Sequence, residues 1–261
     1  MTSPFRLAAL TLLTVAGILL SSITSPVRPT ASGSPAPSPA ASTVQSPAPS
    51  PDTTPDPTVS PTATPSPTTS PDLPSLTDLL ARLEVRGEAE AATYDRVRFR
   101  HWIDADQDGC DARAEVLIAE AVRAPAISAG CALTGGRWQS AYDGLETTNP
   151  GSFDVDHVVP LKEAWVSGAS DWTDDRRRAY ANDLDAPSAL IAVSATSNRS
   201  KADQDPAEWL PPLESYHCTY IADWIVTKLR WGLAIDLREY TTLFAYARTC
   251  PAPALAVVPA P

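Results

Sequence analysis

The chain has 261 residues, with 27 prolines, 4 cysteines and a net charge of −11. Sixteen of the prolines precede residue 75, and positions 21–74 are Pro, Ser or Thr at 37 of 54 places. That excludes a packed domain there and leaves one domain of roughly 185 residues. The first residues are a short stretch with one Arg, then 14 uncharged residues, Leu7–Leu20. This is an export-signal pattern, shorter than the ~20 residues of a spanning helix. The expected organisation is a signal peptide or signal anchor over 1–24 and a disordered Pro/Ser/Thr-rich linker over 25–74. A folded domain over 75–250 and a flexible tail over 251–261 follow. A secreted or cell-surface location is expected, with membrane contact only through an uncleaved anchor and no stable protein partner.

Within the domain, Leu76–Leu83 has apolar residues at helical spacing. The segment 94–103 mixes aromatic, β-branched and Arg residues and fits no single period. Residues 115–122 read as a helix ending before Pro125, Gly135-Gly136 as a hairpin turn, and 137–142 as the strand leaving it. Asp154–Val159 alternates, is rich in Val and is stopped by Pro160, so a strand is expected. Helices follow over 161–166 and 173–181, the latter with Thr173 as N-cap and Asp174 and Asp175 in its first turn. Residues 190–193 are a short buried strand, and 194–201 suit a helix start. Two amphipathic helices close the domain, over 215–231 and 236–249. The fold class is α+β, mostly helical with a small antiparallel sheet.

The folded part carries about −10 of the charge. That excludes a protein that coats nucleic acid by general attraction, but not an enzyme that meets phosphate through a metal ion and a few local cations. Four cysteines in an exported chain imply two disulfides. Three pairings are open. The expected one joins the sequence-local pairs, Cys110–Cys131 and Cys218–Cys250.

Two groups of residues carry chemistry. The first is Asp104, Asp106 and Asp108, then Gly109, with Glu115 six residues later. The spacing matches a calcium loop, in which alternating acids face one centre and Gly permits the sharp turn. A structural Ca²⁺ is expected there as a second site. The alternative reading of the whole protein is therefore a non-enzymatic, calcium-binding extracellular surface module. The second group is Asp156-His157 at the end of a strand, then helices, the strand LIAV, and Asn198 at the start of a helix. This order is the layout of a ββα-metal finger. Asp156 and Asn198 offer oxygen ligands to one hard divalent ion, Mg²⁺ or Mn²⁺. His157 beside the ion can take a proton from water.

The stretches FDVDHVVPLKEAW, YAND, LIAVSATSNRSKADQDPAEWLPP and SYHCTY, with WIDADQDGCDARAEVL upstream, resemble the exported HNH endonuclease family proteins of actinobacteria. These are similar to the C-terminal nuclease domain of GmrSD-type restriction enzymes. The resemblance covers roughly residues 76–250. It implies an HNH-like ββα finger and a metal-dependent endonuclease acting on nucleic acid, DNA ahead of RNA. It implies His157 as general base, Asp156 and Asn198 as metal ligands, and Lys201 and Arg113 as phosphate contacts. The middle Asn of the HNH pattern is absent. Ala189 takes that place, and Asn182 lies seven residues earlier.

Overall fold

The computed structural model describes residues 74–251 and 257–261. The expected signal segment and all but the last residue of the expected linker lie outside the described residues. Those described form an α+β fold with seven α-helices and two small antiparallel sheets.

Helix α1 (Leu76–Leu80) starts at a Ser75/Asp78 capping box and buries Leu76, Leu79 and Leu80. These pack against α6 (His217–Trp231) and α7 (Leu237–Ala247). Helix α6 stops where Gly232 takes a left-handed conformation, and α7 restarts at an Asp236/Glu239 capping box. The disulfide Cys218–Cys250 ties the first turn of α6 to the residues after α7. Beneath this layer lies a fully buried ammonium, Lys228, with Glu163 at 2.7 Å and Glu239 at 2.7 Å. Ser167 and the Ala234 carbonyl complete its shell.

The segment 94–103 contains one 3₁₀ turn, Arg96–Arg98, and is otherwise irregular. Its Phe99 is buried in the main core, edge-on to Trp165 and Tyr180. Helix α2 runs over Ala112–Ala119, capped by Asp111. It ends earlier than its apolar spacing implies because β1 (Arg123–Ser128) takes up the following residues. Pro125 is tolerated in β1 because that strand is the sheet edge.

The expected turn at Gly135-Gly136 is corrected. Strand β2 (Ala132–Gln139) runs through both glycines, and the chain reverses between Ser128 and Ala132. Gly136 has φ +65°, and a Cβ there would lie 2.6 Å from the Trp138 ring. The glycine serves the buried tryptophan beside it, not a turn. The two-residue β3 (Glu146–Thr147) completes this sheet. The disulfide Cys110–Cys131 pins the β1–β2 reversal to the loop before α2. Each disulfide contributes about 3–4 kcal/mol in the chain-entropy account.

The second sheet is the pair β4 (Phe153–His157) and β5 (Leu190–Ser194), antiparallel, with Asp156 opposite Ile191 and His157 opposite Leu190. Phe153, Val155, Leu190 and Ala192 pack against α2 and Trp138. Ile191 and Val193 face the main core, as period-two strands require. Between the strands run α3 (Leu161–Val166) and α4 (Asp174–Ala181). Directly after β5 comes α5 (Ala195–Lys201), capped by Ser194, whose hydroxyl binds Asp143. At the far end, residues 257–261 of the expected tail are described. The Ala260 amide donates to Arg230 O, and Arg230 donates to Val258 O.

Candidate active site

Strands β4 and β5 and helix α5 bring Asp156, His157 and Asn198 to one pocket of about 160 Å³. Arg96, Asp203 and Ala202 also line it.

Asp156 is 7% exposed. Its Oδ2 accepts from the Tyr142 hydroxyl at 2.7 Å and from Lys201 Nζ at 2.8 Å. Burial pushes the Asp156 carboxyl up, and the Lys201 charge acts against that push. Lys201 is wholly buried. Its ammonium also donates to the His157 carbonyl at 3.0 Å. Burial pushes Lys201 down, and Asp156 is the main force holding it charged. The structure therefore turns Lys201 inward, onto the two residues of the Asp-His pair.

Asn198 donates through Nδ2 to Asp154 Oδ2 at 3.1 Å. That bond fixes the amide so that its oxygen is the group left to meet a cation. Asp156 likewise keeps Oδ1 outside the bonds to Tyr142 and Lys201. Asp156 and Asn198 thus offer two hard oxygens on adjoining elements, the donor type that a divalent ion of the Mg²⁺ or Mn²⁺ kind would take.

His157 is held from three sides. Its Nε2 lies 3.0 Å from the Ala181 carbonyl. A carbonyl only accepts, so Nε2 carries the proton and the Nδ1 lone pair is the basic one. Trp102 stacks on one face, with centroids 5.4 Å apart and planes at 25°. Tyr180 stacks at 6.2 Å and 18°. Burial pushes the imidazole down to about 3. It is therefore neutral throughout the neutral range.

Trp102 sits at φ +58°, a conformation a bulky side chain adopts at a cost. Asn182 brackets it. Its amide nitrogen donates to Arg100 O at 2.7 Å and Arg178 O at 2.8 Å, and its oxygen accepts from Ile103 N at 3.0 Å. Asn182 thus holds the indole against His157 and directly follows the carbonyl that orients the ring.

Arg113 lies away from the pocket and donates to Phe153 O at 2.8 Å, bracing the start of β4. The structure gathers Asp104, Asp106 and Asp108, and the same loop folds over its own amides at Gly109 and Cys110. Glu115 stands in the first turn of α2, its carboxyl pushed up by burial and by those three acids. The helix after such a calcium loop is present. The segment before it is irregular rather than helical. Cys110, beside the loop, is committed to its disulfide.

Arg96, Tyr142 and the two rings stacked on His157, Trp102 and Tyr180, were not among the expected site residues. Arg96 belongs to the arginine run at 96, 98 and 100, in the segment without a clear period. Only its triple arginine was a signal.

The model of the GmrSD restriction endonucleases, C-terminal domain, matches residues 126–245, which include β4, β5 and α5. A protein of Arthroderma benhamiae named "Uncharacterized secreted protein" is 41% identical over 172 residues, 66% of this chain and 83% of that protein. No solved structure matches. The secreted relative and the two disulfides together place the folded part in an oxidising, extracytoplasmic setting. A matching family model laid over the strand pair and helix that carry the pocket, with a relative sharing most of its length, settles the affiliation: the chain belongs to the family of the C-terminal nuclease domain of GmrSD-type restriction endonucleases.

Proposed function

We propose that this protein is an exported, metal-dependent endonuclease of the HNH type, cutting nucleic-acid phosphodiesters at the β4–β5–α5 pocket, with DNA as the first substrate to test. The observation that carries the reading is the joint placement of His157, Asp156 and Asn198, with His157 oriented by Ala181 O and flanked by two aromatic rings. A divalent ion held by Asp156 and Asn198 would polarise the scissile phosphate and neutralise charge on the leaving oxygen.

The chain's own residues do the rest. His157 takes a proton from water at Nδ1, and the water oxygen bonds to phosphorus as the bond to the leaving oxygen breaks. Nε2 keeps its proton in the bond to Ala181 O, so the ring cannot swing or change tautomer. The leaving oxygen takes its proton from solvent. Lys201 keeps Asp156 ionised and fixes the carbonyl of the base, acting through both rather than on phosphate. Arg113 holds the strand from which they project.

The test uses the full chain with both disulfides formed and supercoiled plasmid DNA. Nicking and linearisation are expected with Mg²⁺ or Mn²⁺ and are expected to stop with a chelator. A protein that cuts neither DNA nor RNA with either ion would overturn the reading.

A further inference from the structure

We propose that Arg96 is a substrate-contacting residue of this pocket, gripping phosphate oxygens of the nucleic-acid strand; the assignment rests on the nuclease reading above.

The pocket poses an electrostatic problem. It is lined by Asp156 and Asp203, and an anionic strand must enter it. The two cations that the sequence pattern offers for this are engaged elsewhere. Lys201 is buried against Asp156 and the His157 carbonyl, and Arg113 is bonded to Phe153 O. Arg96 lines the pocket, is solvent-exposed, and has no carboxylate within salt-bridge distance among the described residues.

Its backbone is placed, not loose. Asp95 caps the turn by accepting from Val97 N at 3.0 Å. Phe99, at the end of the turn, is buried in the main core. Arg98 is held by Asp174 at 3.3 Å and lies over the Trp165 ring at 5.2 Å. The turn therefore offers one guanidinium to the pocket while its neighbours anchor it. A guanidinium suits this task, since its planar fork meets two phosphate oxygens at once.

The experiment measures binding without cutting. A fluorescein-labelled single-stranded DNA of about 12 nucleotides is titrated with full-length protein in chelator, and anisotropy is read at several salt concentrations. Arg96→Ala is expected to weaken binding about ten- to a hundredfold, the range for a charge-assisted contact. It is also expected to lower the slope of log affinity against log salt by about one. Arg96→Lys is expected to recover the slope and part of the affinity. Unchanged melting of both variants is expected, because the side chain is exposed.

Arg96→Ala binding within twofold of wild type would overturn the assignment, as would a wild-type protein that binds no oligonucleotide. Cleavage assays on the same proteins separate the two claims. Wild type that cuts, beside an Arg96→Ala variant that binds normally, removes Arg96 and keeps the nuclease. Binding that depends on Arg96 in a protein that never cuts removes the nuclease and keeps Arg96.

Discussion

His157→Ala is expected to lower metal-dependent phosphodiester cleavage by about 10²–10⁴-fold, the range associated with one well-placed general base. The variant removes the one imidazole that lines this pocket among the described residues, its Nε2 bonded to Ala181 O. The pH behaviour is distinctive. Burial holds the ring down at about 3, so the base stays unprotonated well below the usual histidine range. The acid limb of kcat/KM is therefore expected to lack an inflection near 6.5. The sign for stability follows from the same depression. The unfolded chain takes up a proton below about 6.5, while the folded chain does so only near 3. Stability from this group is complete above about 6.5 and declines by about 1.4 kcal/mol per unit as pH falls toward 3. His157→Ala is expected to lose that slope relative to wild type. Urea melts of the two proteins at pH 7 and pH 5 measure it. An equal acid loss in both would contradict the burial of a neutral ring.

The second large effect concerns Lys201. The pair Lys201–Asp156 is buried at 2.8 Å, with the Tyr142 hydroxyl and the His157 carbonyl as further partners. Removing one member of such a pair leaves a buried charge without compensation, which costs about 3–5 kcal/mol. Lys201→Met is expected to lower the melting temperature by about 10 °C in a domain of this size. The double variant Lys201→Met with Asp156→Asn is expected to melt above the single one, because the orphaned carboxylate is gone. A surface role for Lys201 would give neither result, since exposed charges contribute about 1 kcal/mol or less. Thermal melts of wild type, single and double variants decide between the two.

Much of the layout was legible in the sequence for physical reasons. The alternation in Asp154–Val159 and the stop at Pro160 announced β4, and β4 spans Phe153–His157. The Thr173 cap with Asp174 and Asp175 announced α4, which starts at Asp174. The sequence-local cysteine pairs are the ones bonded. What escaped depended on contacts distant along the chain. Gly135-Gly136 carries a turn signature, but the Trp138 ring and the pairing with β1 make it part of a strand. Lys201 looks like a phosphate ligand in one dimension, and only the packing of α5 on β4 shows its ammonium turned inward. Trp102 and Tyr180 lie 55 and 23 residues from the histidine they enclose. No local pattern encodes that sandwich. Asn182 was visible as a displaced asparagine, but its three bonds to residues 100, 103 and 178 exist only in the fold.

In the proposed mechanism one divalent ion, seated by Asp156 and Asn198, is the ion with which His157 works. The most direct measurement titrates metal-free full-length protein with Mn²⁺, reading bound ion by electron paramagnetic resonance and plasmid nicking in the same samples. The expected result is a binding curve and a cutting curve that rise together, and that both shift to higher Mn²⁺ in Asn198→Ala by about tenfold or more, as loss of a ligand implies. Cutting that persists in chelator, or a cutting curve that Asn198→Ala leaves in place, would contradict the account.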